Sequence, residues 1–259
     1  MLFKIKYLYS FLNGLELLWV VVLAAGCAVN PSAPLDSQRL SNAIAIDDAR
    51  HVRTLVEGQS ISVNDVVPGI GYAATPMITV AARNGSFNVM RYLISAKADL
   101  NARTPDRDTA LMLASLFGRE EQALNASALA RYDSVVRALV EAGAGLEHTD
   151  LNAYTPLAYA AYAGRDSTVR YLLEKGARVD ANAQGRTSYV NTPLMMATMQ
   201  GNRNTALHLL RAGADASVRV QNGMTALEFA QKNKQTHLEK ILRCAESLKA
   251  GETFRQRCE

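Results

Sequence analysis

The sequence predicts an all-α solenoid of about six helix-turn-helix units. Similar lines recur along the chain, and five of them carry an opening threonine, at Thr75, Thr109, Thr155, Thr192 and Thr225, with spacings of 34, 46, 37 and 33 residues. Each line continues with small residues and a pair of large aliphatic residues, and most lines place a glycine between these two features. Self-similarity at such a period is typical of stacked repeats, because one unit alone cannot bury its apolar face.

The first unit runs from Arg39 to Asp65 and is degenerate. Leu40 stands where the other lines have the leucine that follows the opening, and the pair Leu55-Val56 stands where they have paired aliphatic residues. Terminal units of a solenoid leave one face in water, so they depart from the repeat pattern to remain soluble. The outer two of the six units are therefore expected to be atypical.

The later units begin, in order, at Ala74, Asp108, Tyr154, Asn191 and Met224. In each, the threonine hydroxyl is expected to accept a backbone N–H at the start of a helix, and a following proline suits the first helical turn. Within the fourth unit, Gly164 permits a tight turn between antiparallel helices and Leu172-Leu173 fill the core. Gly176 ends the second helix by adopting positive φ.

The third unit carries an insertion of about thirteen residues between Gly118 and Asp133. Its composition is rich in alanine and glutamate, so we expect it to extend a helix or to form a helical bulge. Long connections also enter the second and fifth units. Insertions in a solenoid map to loops and often to binding surfaces, although neutral surface variation is an alternative for each of them.

The fourth line, YTPLAYAAYAGRDSTVRYLLEKGARVDA from Tyr154, resembles the ankyrin repeat. The matching features are a Thr-Pro-Leu opening, an Ala-Ala pair, a glycine and paired leucines, and GAD at Gly213 closes the next unit. The resemblance covers most of the chain and implies an ankyrin repeat domain over residues 37–248 with β-hairpin loops between the helix pairs. It also implies protein binding through the hairpin tips and the exposed end of each first helix.

Carried over unit by unit, this resemblance implies a protein-binding surface made largely of apolar side chains. Aromatic residues and methionine are enriched in interface cores, so their presence at these positions favours binding over ordinary solvation. The alternative is that some of the rings pack inward against a neighbouring unit. The predicted protein-binding residues are Tyr72, Asp106, Leu116, Phe117, Tyr154, Tyr162, Tyr189, Met199 and Met224.

Catalytic patterns are missing from the sequence. It contains no Gly-x-Ser-x-Gly, no phosphate-binding Gly-Lys-Ser/Thr loop and no His-Glu-x-x-His, and its four histidines fall in different units. We therefore expect neither an enzyme nor a metal site nor a cofactor. The formal charge of +4 is mild and no Lys/Arg run exceeds two residues, so nucleic acid is not an expected partner.

The N-terminal stretch WVVVLAAGC, from Trp19 to Cys27, is an apolar run too short for the ~20 residues of a spanning helix. With Lys4 and Lys6 upstream, it is typical of a secretory signal. LAAGC resembles the bacterial lipobox, with Ala24 where leucine is commoner. This implies a signal peptide over 1–26, lipidation of Cys27 and a tether over 27–36; ordinary signal cleavage nearby is the alternative.

The lipobox implies a lipid anchor on the periplasmic side of the cell envelope, and an alanine after the cysteine favours the outer membrane over the inner. Lipidation of Cys27 would leave Cys244 and Cys258 as an even pair in an oxidising compartment. A disulfide between them and two free thiols in a frayed tail over 249–259 are both open.

The chain combines a signal peptide, a cysteine for acylation and a binding domain, and it lacks catalytic motifs. In this combination it resembles the lipoprotein immunity proteins that are paired with type VI secretion phospholipase effectors. This implies that the protein partner is a secreted toxic effector. The alternative is an envelope scaffold or a stress-tolerance ankyrin protein. An effector secreted into a host is disfavoured by the lipobox.

Overall fold

The computed structural model describes residues 35–58, 61–69, 72–117, 126–181, 191–219, 223–249 and 251–258. The predicted signal peptide over 1–26 and the lipidation site Cys27 lie outside the described residues. Of the predicted tether over 27–36, the described part is the start of the first helix, which begins at Leu35.

Within the residues that the structure describes, the helices follow one another along the chain as six pairs, and this confirms the all-α solenoid. The first helices of the pairs are α1 (Leu35–Ala45), α3 (Met77–Asn84), α5 (Ala110–Leu116), α7 (Pro156–Ala163), α9 (Pro193–Met199) and α11 (Ala226–Lys232). Their partners are α2 (Ala49–Gly58), α4 (Phe87–Ser95), α6 (Ala126–Glu141), α8 (Asp166–Glu174), α10 (Arg203–Arg211) and α12 (Thr236–Glu246).

The pairs stack in sequence order. Each first helix packs on the first helix of the next unit, from α1 through to α11, and each second helix packs on the next second helix, from α2 through to α12. Buried side chains of neighbouring units form one continuous core, which includes Leu40, Leu93, Leu139, Leu172 and Leu242. The first helices therefore line one side of the solenoid, which we call the inner face.

The described strands form a single antiparallel hairpin that enters the second unit. Strand β1 (Val66–Gly69) pairs with β2 (Tyr72–Pro76), with Val67 opposite Thr75. The hairpin packs against α1 and leads directly into α3. It therefore supplies the kind of hairpin loop that the sequence resemblance implied.

Threonine caps start four of the first helices, as the sequence predicts. The hydroxyls of Thr109, Thr155, Thr192 and Thr225 each accept a hydrogen bond from the backbone N–H three residues later, over 3.3–3.4 Å. Each satisfies one backbone N–H that has no partner within the helix. The start of every inner helix from α5 to α11 is therefore encoded locally.

The second unit departs from the predicted register by one residue. Thr75 lies in β2, where it is 5% exposed, and Pro76 occupies the position before α3. Both Pro76 and Thr155 stand nine residues before a glycine with positive φ, Gly85 at 64° and Gly164 at 69°. The prediction that Thr75 opens α3 is wrong, because the strand register carries that residue into the hairpin.

The insertion in the third unit lengthens a helix, as expected. Helix α6 has 16 residues, whereas α4, α8 and α10 each have 9. Tyr132, in the middle of α6, lies seven residues before Leu139, as Arg165 lies seven residues before Leu172. The extra turns therefore lie at the N-terminal end of α6, before the part that matches the second helices of the other units. The spacing of the residues that pack into the core is the same as in those helices.

The predicted tail over 249–259 contains a short helix, α13 (Phe254–Cys258), that packs against α12 and α10. A disulfide joins Cys258 to Cys244 of α12. Phe254 is 4% exposed, so it extends the core beyond the sixth unit. The described part of this segment therefore covers the C-terminal end of the solenoid.

Among the helices that the structure describes, none combines the length and the apolar character that crossing a membrane requires.

Candidate protein-binding surface

Large apolar side chains lie at the C-terminal ends of three neighbouring inner helices. Leu116 and Phe117 end α5, Tyr162 lies near the end of α7, and Met199 is the last residue of α9. All four are half-buried, and the last three pack against the core. We call these four residues the apolar row. Each member keeps part of its surface available to a partner, and the core fixes the bases of Phe117, Tyr162 and Met199.

The end of α5 is held by a buried guanidinium from the next unit. The side chain of Arg165 has no exposed surface, and it donates to the backbone carbonyls of Phe117 and Ala114. It also pairs with the Asp133 carboxylate, at 2.5 Å from Nη2 to Oδ1. Ser167 and Thr168 donate to the same carboxylate over 2.7 and 2.9 Å. A buried ion pair needs such additional hydrogen bonds to offset the desolvation of its charges.

The backbone behind the other members of the apolar row is held in a similar way. The Asn202 amide nitrogen donates to the carbonyls of Ala161 and Tyr162, both at 3.0 Å. The Asn233 amide donates to the Met199 carbonyl at 3.3 Å. Each unit therefore satisfies the carbonyls that end the inner helix of the preceding unit. This fixes the apolar row on rigid elements, as a binding surface requires.

Arg83, at the end of α3, extends the inner face towards the N-terminal units. Its guanidinium lies over the Phe117 ring, 5.0 Å from the centroid. Such a contact between a cation and an aromatic face is attractive. At the opposite end, Lys232 of α11 is exposed. Basic side chains therefore stand on both sides of the apolar row.

One tyrosine hydroxyl bridges two carboxylates beside the apolar row. The hydroxyl oxygen of Tyr159 lies 3.2 Å from Oδ1 of Asp108 and 3.0 Å from Oδ2 of Asp150. A phenol has one hydrogen, so it donates to only one of them at a time. We call Asp108 and Asp150 the carboxylate pair. When both are ionised, one is left without this donor.

Burial, followed by the charge of Asp150, raises the pKa of Asp108 to about 6. The hydrogen bond from Tyr159 and the charge of Arg83 act in the opposite direction, and they do not cancel the rise. Burial and the two carboxylates also raise the pKa of the Tyr159 hydroxyl, so it remains protonated near neutral pH. The inner face therefore holds a carboxylate that ionises at a cost.

Asp150 also shapes the hairpin turn that precedes α7. It is 5% exposed, and its Oδ1 accepts the backbone N–H groups of Asn152 and Tyr154 over 3.0 and 2.7 Å. Aspartate commonly closes turns by bonding its own backbone two residues on. The turn fixes one member of the carboxylate pair in place.

Comparison with known proteins identifies the repeat. The family model described as ankyrin repeats in three copies matches residues 40–126 and 118–184, and the single ankyrin repeat model matches 191–221. The chain belongs to the ankyrin repeat family. Ankyrin repeats are typically non-enzymatic scaffolds for protein–protein interaction, and this role is the one that the family match supports.

Similar ankyrin proteins come from distant organisms. An ankyrin repeat-containing protein of Treponema pallidum is 35% identical over 108 residues, which are 42% of this chain and 35% of that protein. Palmitoyltransferase Hip14 of Drosophila melanogaster is 38% identical over 94 residues, 36% of this chain and 14% of that protein. Ankyrin repeat and KH domain-containing protein mask-1 of Caenorhabditis elegans is 31% identical over 239 residues, 86% of this chain and 9% of that protein. The chain thus spans about a third or less of these relatives.

Of the predicted binding residues of this ankyrin protein, Tyr154 is misassigned. It is 2% exposed, and its ring meets the ring of Tyr159 edge-on with centroids 6.3 Å apart. Burial raises the pKa of its hydroxyl, which hydrogen-bonds to Asn191. The prediction failed because Tyr154 packs between units, as part of the core.

The other predicted positions have mixed outcomes. Asp106 and Met224 are half-buried, and Met224 packs against the core. Tyr72 is the first residue of β2 and its side chain lies outside the description, as does the whole of Tyr189. The expectation of a broadly exposed apolar stripe is therefore replaced by a narrower one, the half-buried apolar row.

Sequence reasoning missed the residues that organise this surface. Arg165, Tyr159 and the carboxylate pair were not singled out as a group. A signal existed for Arg165, because a long cation directly follows Gly164 at the turn of the most regular unit. Within the described residues, no group of three or more histidine, cysteine, aspartate or glutamate side chains could hold a metal ion.

Proposed function

We propose that this ankyrin protein is a lipid-anchored periplasmic binding protein that neutralises a secreted toxic effector, as the immunity proteins of type VI secretion do. The observation that carries the proposal is the apolar row, four large half-buried side chains held on rigid helix ends of neighbouring units. Interface hot spots are enriched in such anchors. A surface of this kind can obstruct a toxin without any catalytic step.

The anchor is argued from the sequence. LAAGC before Ala28 resembles a lipobox, and the prolines at 31 and 34 suit a short tether between lipid and solenoid. A disulfide between Cys244 and Cys258 is in keeping with an oxidising compartment. Several acyl chains on one terminus hold a folded domain on a membrane, since each buried CH₂ contributes ~0.8 kcal/mol. On this proposal the inner face lies where an envelope toxin would act.

Metabolic labelling tests the anchor. Cells grown with labelled palmitate should yield a labelled wild-type protein, and Cys27→Ser should remain unlabelled and leave the membrane fraction. Equal labelling of the two proteins would overturn the lipid anchor. Cys244→Ser controls for the loss of any cysteine, because it should keep the label.

Protection in the periplasm tests the inhibitory role. If a phospholipase-like protein is encoded beside this gene, it would be expressed in the periplasm, alone and together with the ankyrin protein. Wild type should restore growth, and Tyr162→Ala should weaken protection, because truncating a central anchor costs about 2 kcal/mol or more of binding. Arg170→Ala is the matched control, because Arg170 is exposed on the outer helix of the same unit. Failure of wild type to protect would favour an envelope scaffold instead.

A further inference from the structure

The apolar row and the carboxylate pair lie side by side on the inner face. Tyr159 and Tyr162 occupy α7 three residues apart, and residues at this spacing are neighbours on one helix face. Tyr159 contacts the carboxylate pair through its hydroxyl, and Tyr162 belongs to the apolar row. A partner that covers Tyr162 therefore comes within reach of Asp108, the half-buried member of the carboxylate pair.

Besides burial, two other carboxylates act on the charge of Asp108. Asp150 and Asp106 both disfavour its charge, and Arg83 is the cation that favours it. The single hydrogen of Tyr159 serves two carboxylates. A cation that approached from a partner would add hydrogen-bond donors and positive charge to this group of carboxylates.

The size of the surface sets the length of the partner segment. Helices α5, α7 and α9 are successive neighbours, and packed helices lie about 8–10 Å apart, so the apolar row spans about 20 Å. A helix rises 1.5 Å per residue, so a helical segment of about 14 residues covers it. Such a segment would present its apolar stripe at i, i+3, i+4 and i+7.

We propose that the inner face binds an amphipathic helical segment of a protein partner, with its apolar stripe on the apolar row and a lysine or arginine placed against the carboxylate pair. The inference rests on the proposed function only in taking the inner face as the binding surface. It adds the chemistry of the partner segment, which carries an apolar stripe and has basic side chains along the edge that faces the hairpin turns. Lys232 is exposed at one end of the row, so an acidic residue suits that end of the segment.

Other occupants fit these charges less well. An anionic lipid headgroup would meet Asp108 and Asp150 and be repelled. A segment with acidic flanks would be repelled along the same edge, and like charges brought together at an interface oppose binding. The carboxylate pair therefore selects the sign of the partner's flank, while the apolar row supplies the contact area.

Two synthetic peptides test this proposal. Both have about 18 residues and the same leucine stripe. They differ only in the residues along the sides of that stripe, which are lysine in one peptide and glutamate in the other. The protein carries a formal charge of +4, so a preference for the lysine peptide would not come from overall attraction. We expect the lysine peptide to bind about tenfold more tightly by fluorescence anisotropy at physiological salt.

Variants locate the binding. Asp108→Asn should remove most of the preference for the lysine peptide, and Tyr162→Ala should weaken both peptides. Glu174→Gln, on the outer helix α8, removes the same charge and should change neither. The proposal is overturned if the glutamate peptide binds as tightly as the lysine peptide, if neither binds, or if Asp108→Asn leaves the preference intact.

This test is separate from the toxin assay. Peptide binding without protection would leave the chemistry of the inner face standing and reject the immunity role. Protection without the lysine preference would reject the partner chemistry and leave the immunity role standing.

Discussion

Replacing Asp108 by asparagine should stabilise this protein at neutral pH. Asp108 and Asp150 share the one hydrogen of the Tyr159 hydroxyl, over 3.2 and 3.0 Å. An asparagine amide at position 108 can donate to the Tyr159 oxygen, which then donates to Asp150. The substitution removes a poorly compensated charge and gives each group of the bridge a suitable partner.

The magnitude follows from the pKa of Asp108, which burial and Asp150 raise from 3.8 to about 6. Each unit corresponds to about 1.36 kcal/mol, so ionisation at neutral pH costs the folded state at most about 3 kcal/mol. Asp108 is half-buried and solvent screens part of this cost, so we expect Asp108→Asn to gain about 1–2 kcal/mol at pH 7.5.

The sign of the pH dependence distinguishes this mechanism from a generic stabilisation. The folded state binds the Asp108 proton more tightly than the unfolded chain, so this group stabilises the protein fully below its unfolded pKa. That stabilisation is lost as the pH rises through about 6. The advantage of Asp108→Asn should therefore be largest above pH 6 and shrink towards zero near pH 4.

Urea and thermal unfolding at about pH 4.5 and pH 7.5 measure both effects. For a chain of this size, a gain of 1–2 kcal/mol raises Tm by about 2–8 °C. Glu174→Gln controls for the loss of a carboxylate, because Glu174 is exposed at the end of α8 and its replacement should change stability by about 0.5 kcal/mol or less. A destabilised Asp108→Asn at pH 7.5, or a gain equal at both pH values, would refute the shared-proton argument.

Three further variants test the fold. Arg165→Met should cost about 3–5 kcal/mol of stability in urea unfolding, because it leaves two carbonyls without this donor and the Asp133 carboxylate without its cationic partner. Replacing Cys244 and Cys258 together by serine should cost about 3 kcal/mol in the chain-entropy model, and mass spectrometry without reduction should find the bridge in the native protein. Tyr154→Ala should lower Tm by opening a cavity, since the Tyr154 side chain is 2% exposed. An unchanged Tm would show that Tyr154 lies on the surface instead.

Local signals in the sequence were enough to predict most helix starts. Thr109, Thr155 and Thr192 cap their helices because a threonine hydroxyl satisfies an N–H three residues away, whatever the tertiary context. Thr75 shows the limit of this reasoning. Thr75 is also followed by a proline, but both residues lie in strand β2, because pairing with β1 carries them into the hairpin.

Exposure at the inner face was not predictable from spacing. Tyr154 and Met224 occupy the same place before the opening threonine, and yet Tyr154 is 2% exposed while Met224 is half-buried. What decides between them is the packing around each residue: Tyr154 packs against Tyr159 of its own unit and hydrogen-bonds to Asn191 of the next unit. Spacing identifies equivalent positions, but the surrounding side chains, in the same unit and in the next, determine which are buried.

No local sequence pattern connects Tyr159 with the two residues of the carboxylate pair. Tyr159 lies 51 positions after Asp108 and 9 after Asp150, and only the stacking of the third and fourth units brings the three side chains together. A fold selected for stability alone would have no use for an ionised Asp108, because asparagine satisfies the same bridge without the charge. Residues that lower stability are tolerated where function requires them. If Asp108→Asn raises Tm and also abolishes the preference for the lysine peptide, the charge is there to meet a partner. If it raises Tm and binding is unchanged, the inner face tolerates the charge without using it.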